Sequence, residues 1–280
     1  MITNYISFCE NVKGFSPQTC RSYQSILRTF ARFFQDKGKR WSTITPDDVR
    51  EFIQASSKRG VQASTINVYI MTCRGFFDYL VRFKGLQTNP FAGFSKIKEP
   101  KRLVAGVPED VCRACINNPP ERGRRIKYLA WVAINIMYYS GLRISEVMNL
   151  KWTDITEVID VIGKGNKERI IPVAKELATL LSHERMIDDK STYIMESYGE
   201  RVRLRSLTFE INKLLLEAGC EIALAHPHAL RHTFATRLAC NGIPLPVLQK
   251  LLGHNNLSTT EIYLSVTRDE IIQNFNRYSI

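Results

Sequence analysis

Apolar residues recur at intervals of three and four through most of this 280-residue chain, and the pattern breaks in only a few places. After Ser16-Pro17, the residues Tyr23, Ile26, Leu27, Phe30, Phe33 and Phe34 fall on one stripe of a helix. Val68, Met71, Phe76, Tyr79 and Leu80 trace another, with Arg74 turned outward. Ser16-Pro17 and Thr45-Pro46-Asp47-Asp48 each set a capping side chain before a proline at the first helical position. No strand alternation occurs here, so residues 1–92 read as a helical bundle with its aromatics in the core. Between 93 and 106 the periodicity stops. Gly93, Pro100 and Gly106 interrupt a stretch carrying Lys96, Lys98, Lys101 and Arg102, the composition of a basic interdomain linker.

Residues 107–280 read as a second domain. The uncharged run from Tyr128 to Leu142 is too short to span a bilayer and reads as a buried core helix. Val158–Ile162 and Arg169–Val173 alternate as strands across the turn Gly163-Lys164-Gly165-Asn166, a hairpin signal. In the tail, 267–280, Ile271, Ile272 and Phe275 have helical spacing. The expected fold class is mainly α, of the α+β kind: a helical bundle followed by a mostly helical domain with a small antiparallel sheet.

Charge sharpens this division. The chain carries a net +12, and residues 1–105 hold 17 Lys and Arg against 7 Asp and Glu. The remaining residues hold 22 against 20. A basic first domain suits a polyanion, DNA foremost, although a solvated positive face has the same composition. Met1 to Tyr5 has neither the basic region nor the apolar run of a secretory leader, and seven cysteines at irregular spacings suit reduced thiols, so a cytoplasmic location is expected. Cys112 and Cys115 form an isolated CxxC, which fits a helical core better than a zinc site.

Five short segments of the second domain carry chemistry. In Ser140-Gly141-Leu142-Arg143-Ile144-Ser145-Glu146, a glycine ends the apolar helix just before an arginine. Lys164 stands in a hairpin turn, where it could reach a reacting group or be a solvated tip. In His226-Pro227-His228-Ala229-Leu230-Arg231-His232, His228 and Arg231 share a helix face, pairing a guanidinium fork with a group that exchanges protons near neutral pH. His228 and His232 also have the spacing of a zinc pair, but Ala229 stands where a zinc hydrolase places glutamate. Leu252-Gly253-His254 closes one helix, and Ser258 with Glu261 caps the next, which carries Tyr263 in its second turn. A buried structural tyrosine has the same local appearance.

Taken in order, Arg143, Lys164, His228, Arg231, His254 and Tyr263 with their flanking residues resemble the tyrosine recombinase, or lambda-integrase, family, in its compact Xer-like form. The resemblance covers the second domain and, more loosely, the first, which would then be a SAM-like core-binding domain. It implies an enzyme in which Tyr263 attacks a DNA phosphate to give a 3′-phosphotyrosine. Arg143 and Arg231 would hold the phosphate, Lys164 would protonate the leaving 5′-oxygen, His228 would take the tyrosine proton and His254 would bond the phosphate. It also implies double-stranded DNA with paired recombination sites, four copies of the chain, a Holliday junction, and no metal, ATP or other cofactor. Glu146 either braces the site or forms a surface ion pair. Arg74 is the one candidate for DNA contact in the first domain. A type IB-like topoisomerase and a catalytically silent DNA-binding module are the alternatives.

Overall fold

The computed structural model describes residues 1–35, 37–98, 105–123, 125–162, 168–187, 190–253, 272 and 275–276. The chain divides into two compact units, Met1–Arg102 and Leu103–Ile280. Among the described residues, no helix is long and apolar enough to cross a membrane.

The first unit contains α1 (Ile2–Asn11), α2 (Pro17–Gln35), α3 (Pro46–Lys58) and α4 (Ala63–Lys84). Its core is built on rings. Phe30 packs edge-on against Phe34, Phe52 and Phe77 at centroid distances of 5.1, 4.9 and 6.0 Å. Such contacts add to the area each ring removes from water. Ile26, Leu27, Phe30 and Phe34 of α2 are buried, as its stripe requires. Thr45 caps α3 by accepting the Asp48 amide at 3.3 Å, and the Asp48 carboxylate accepts the Thr45 amide at 2.8 Å in return. Burial opposes ionisation of Asp48, but these bonds and Lys39 outweigh it and hold its carboxyl below the usual range.

Helix α4 is rotated from the expected phase. Val68 and Met71 are 39% and 50% exposed, while Ile66, Ile70, Cys73, Phe76, Phe77 and Leu80 are buried. The cause is polar. Asn67 turns inward and clamps an extended segment, accepting the Ile97 amide at 2.8 Å and donating to the Ile97 carbonyl at 3.0 Å. Arg74 does not face outward either. It is half-buried and its guanidinium donates to the carbonyls of Phe91 (3.3 Å) and Phe94. That geometry gives it a clamping part within the first unit. Residues 91–97, the start of the basic stretch, are thereby fastened to α4.

The second unit is organised around α6 (Arg125–Ser140), which is buried almost throughout. Around it stand α5 (Glu109–Asn117), α7 (Ile144–Asn149), α8 (Lys175–Ile187), α9 (Leu204–Glu217), α10 (Pro227–Cys240) and α11 (Leu245–Leu252). Strands β1 (Val158–Ile162) and β2 (Glu168–Pro172) pair antiparallel, with Val161 opposite Arg169; β2 begins one residue earlier than its alternation suggests. A two-residue pair, β3 (Glu196–Ser197) with β4 (Glu200–Arg201), forms a separate hairpin. Cys112 and Cys115 lie on α5 inside the core, where burial pushes their thiols up to about 12 and about 11. They remain protonated and inert at neutral pH. From the tail, Phe275 is buried with Phe234, Leu238, Val247 and Leu251 of α10 and α11.

Replacing Thr45 by alanine is expected to lower stability by about 1 kcal/mol. The check is chemical unfolding followed by circular dichroism; an unchanged midpoint would show that the cap contributes nothing.

Candidate active site

The carboxylate of Glu146 stands where four elements meet, and its partners define the site. It lies in the first turn of α7, and Arg143 is the N-cap of that helix. One Glu146 oxygen accepts the Arg143 backbone amide at 2.7 Å; the other accepts Arg143 Nη1 at 2.9 Å. From β2, Arg169 closes a two-pronged pair, with Nη1 at 3.0 Å and Nη2 at 2.7 Å. From α10, Arg231 Nη1 approaches to 3.9 Å. Burial by itself would raise the Glu146 carboxyl, but the Arg169 and Arg143 bonds prevail and hold it below the ordinary carboxylate value. The group is therefore ionised at neutral pH, a buried anion matched by cations.

The same arginines hold the end of α11. Arg231 is 3% exposed; its Nη1 donates to the Gly141 carbonyl at 2.7 Å and its Nη2 to the Leu252 carbonyl. Arg143 Nη2 donates to the Gly253 carbonyl at 3.3 Å, and Arg169 Nε to the Leu251 carbonyl at 2.9 Å. Three consecutive carbonyls at a helix C-terminus are thus capped by three guanidiniums, each placed where the helix dipole favours positive charge. Burial, followed by the neighbouring charge of Arg143, draws Arg231 down to about 10, which still leaves it cationic at neutral pH.

His228 sits three residues before Arg231 on α10. The local sequence explains its position. His226 Nδ1 accepts the Ala229 amide at 3.1 Å as N-cap, and Pro227 occupies the first helical position. The His228 ring lies 4.6 Å from that of His232, in an edge-on arrangement. Desolvation, then the charges of Arg231, His226 and Arg143, push the His228 imidazole below its usual value. It is neutral at pH 7 and able to accept a proton.

Of the six expected site residues, Arg143, His228 and Arg231 are brought together here. Lys164, His254 and Tyr263 lie outside the described residues, as do the turn carrying Lys164 and the helix cap at Ser258 and Glu261. Glu146 is the buried brace and not a surface ion pair. Two contributors escaped the sequence reading: His226 as a cap, and Arg169. The signal for Arg169 was available in the strand alternation, which places it on the same face as the fully buried Ile171.

Gly141 joins α6 to the site. Its φ is +64°, and a Cβ there would fall within the ring of Phe234. Gly141→Ala is therefore expected to destabilise the protein by about 2 kcal/mol or more and to lower its melting temperature. A melting temperature equal to that of the unaltered protein would contradict the close packing at this turn.

Residues 108–270 match the model of the phage integrase family, and residues 2–84 match the phage integrase N-terminal SAM-like domain. The chain is 31% identical to the tyrosine recombinase XerD of Proteus mirabilis, over 92% of this chain and 86% of that protein. It is 30% identical to a tyrosine recombinase of Thermosipho africanus, over 96% of each. The fold is similar to that of the XerH site-specific recombinase in a post-cleavage complex with palindromic difH DNA: TM-score 0.74, 19% identity, 98% of this chain and 83% of that one. A lambda integrase dimer bound to a core site has a TM-score of 0.71, with 17% identity over 91% and 94%. The chain belongs to the phage integrase family and is a site-specific tyrosine recombinase, an enzyme that cleaves and rejoins DNA.

Proposed function

We propose that this recombinase cleaves DNA by attack of the Tyr263 hydroxyl on a backbone phosphate. The attack forms a 3′-phosphotyrosine and releases a 5′-hydroxyl, and strands are exchanged between two paired sites through a Holliday junction. The observation that carries this reading is the convergence of Arg143 and Arg231 on Glu146. The pair shares one carboxylate and the end of one helix, with contacts of 2.9 and 3.9 Å to Glu146. Negative charge grows on the nonbridging oxygens in the transition state, and preorganised guanidiniums stabilise it without reorganising.

A phenol with an ordinary pKa near ~10 attacks slowly until its proton is removed. A neutral His228 supplies that acceptor. Lys164 protonates the departing 5′-oxygen and His254, which follows the capped Leu251 to Gly253 carbonyls, bonds the phosphate. The exchange replaces one phosphodiester with another of similar energy, so religation needs no nucleotide. Residues 1–92 form the core DNA-binding domain, 93–106 the linker and 107–280 the catalytic domain. Double-stranded DNA is the substrate and four copies act together on two sites. The DNA-bound lambda integrase dimer and XerH complex, similar in fold, support a DNA-bound multimer.

A duplex nicked close to the cleavage point releases the short product strand and traps the adduct. Wild-type protein is expected to accumulate a covalent DNA complex on a denaturing gel, and Tyr263→Phe to form none. An adduct of equal yield with Tyr263→Phe sinks the proposal.

The pH dependence follows from the lowered His228 value. Single-turnover cleavage should stay level around neutrality and fall only below the ordinary histidine pKa of ~6.5, as the imidazole gains its proton. His228→Gln should cleave more slowly and lose that acidic limb. A rate that rises on acidification would assign His228 the opposite protonation state.

A further inference from the structure

Arg169 is 8% exposed in its side chain, and every one of its guanidinium nitrogens has a partner: Nε the Leu251 carbonyl, Nη1 and Nη2 the two Glu146 oxygens. All three nitrogens are thus engaged within the protein. Gly253 admits the side chain, since a Cβ there would lie 3.1 Å from Arg169 Cδ. The question is what such a buried cation contributes beside two arginines already present.

Three guanidiniums surround one carboxylate, and the distances divide them unequally. Arg169 takes the two-pronged fork at 2.7 and 3.0 Å. Arg143 makes a single side-chain bond at 2.9 Å and is 36% exposed, while Arg231 remains at 3.9 Å, beyond hydrogen-bond range. A carboxylate prefers the planar fork of an arginine. Without Arg169, a carboxylate exposed to only 10% would have Arg143 and Arg231 alone to compensate it. It would draw one of them into the fork and cancel much of the charge meant for the phosphate.

We propose that Arg169 is a charge-compensating positioning residue. By occupying both oxygens of Glu146, it lets that carboxylate hold Arg143 and Arg231 in place without neutralising them. The cluster keeps a surplus of two positive charges, and these stay on the two arginines that face the reaction. The inference rests on the reading that Arg143 and Arg231 clamp the scissile phosphate.

The test is single-turnover cleavage of the nicked duplex at saturating DNA, with affinity measured separately by gel shift and folding by thermal melting. Arg169→Met is expected to cleave on the order of 10²-fold more slowly, with DNA affinity within about threefold of wild type. Arg169→Lys, which keeps the charge, should remain within about tenfold of wild type. The Glu146→Gln, Arg169→Met double variant should regain about tenfold or more over Arg169→Met, because glutamine still accepts the Arg143 amide but carries no charge to compensate. A double variant no faster than Arg169→Met, or a lysine variant as slow as methionine, overturns the proposal and leaves Arg169 a purely packing residue. If Arg169→Met does not fold, the double variant, which buries no unpaired carboxylate, should fold, and its failure to do so overturns the proposal equally. Wild-type cleavage by Arg231→Ala would instead overturn the clamp reading on which this one rests.

Discussion

A carboxylate carried into the interior must be surrounded by cations or it will not stay ionised, and the second domain is arranged around that requirement. Glu146 gathers Arg143 from the cap of its own helix, Arg169 from the hairpin and Arg231 from α10. Each arginine then reaches past it to one carbonyl at the end of α11. The result fixes four elements at one point. Breaking such a cluster by removing one partner typically costs about 3–5 kcal/mol, because the remaining charge stays buried. Positional precision in the site is therefore tied to the stability of the domain.

The chemistry draws on the same arrangement. Guanidiniums already oriented by Glu146 and by backbone carbonyls need no rearrangement when charge develops on a phosphate. Burial first, and then the charges of Arg231, His226 and Arg143, keep His228 neutral, the state that can receive a phenolic proton. The two arginines thus contribute to two effects, stabilising an anion and keeping a base free.

Much of this was legible in the sequence, and the exceptions have physical causes. Gly141, Arg143, His228 and Arg231 stand out because each depends on local geometry: a helix stop, a cap, or a spacing of three on one face. The capping at Thr45 and Gly253 is local in the same way. Arg74 was expected to face outward, yet it and Asn67 both bond backbone in residues 91–97, too far along the chain for periodicity to register. Arg169 meets Leu251 across 82 positions, and only strand alternation hinted that it points inward. Long-range polar pairing is what the pattern of apolar residues fails to encode.

The central claim is that Arg143 and Arg231, held by Glu146, form a ready-made receptor for one phosphate. The most direct measurement is a structure of the protein on DNA carrying an intact scissile phosphodiester. The account predicts both guanidiniums within ~3 Å of nonbridging oxygens on the same phosphorus, with the Arg169 fork on Glu146 retained. A scissile phosphate bound away from this pair, or an Arg169 released from Glu146 to contact DNA, would contradict it.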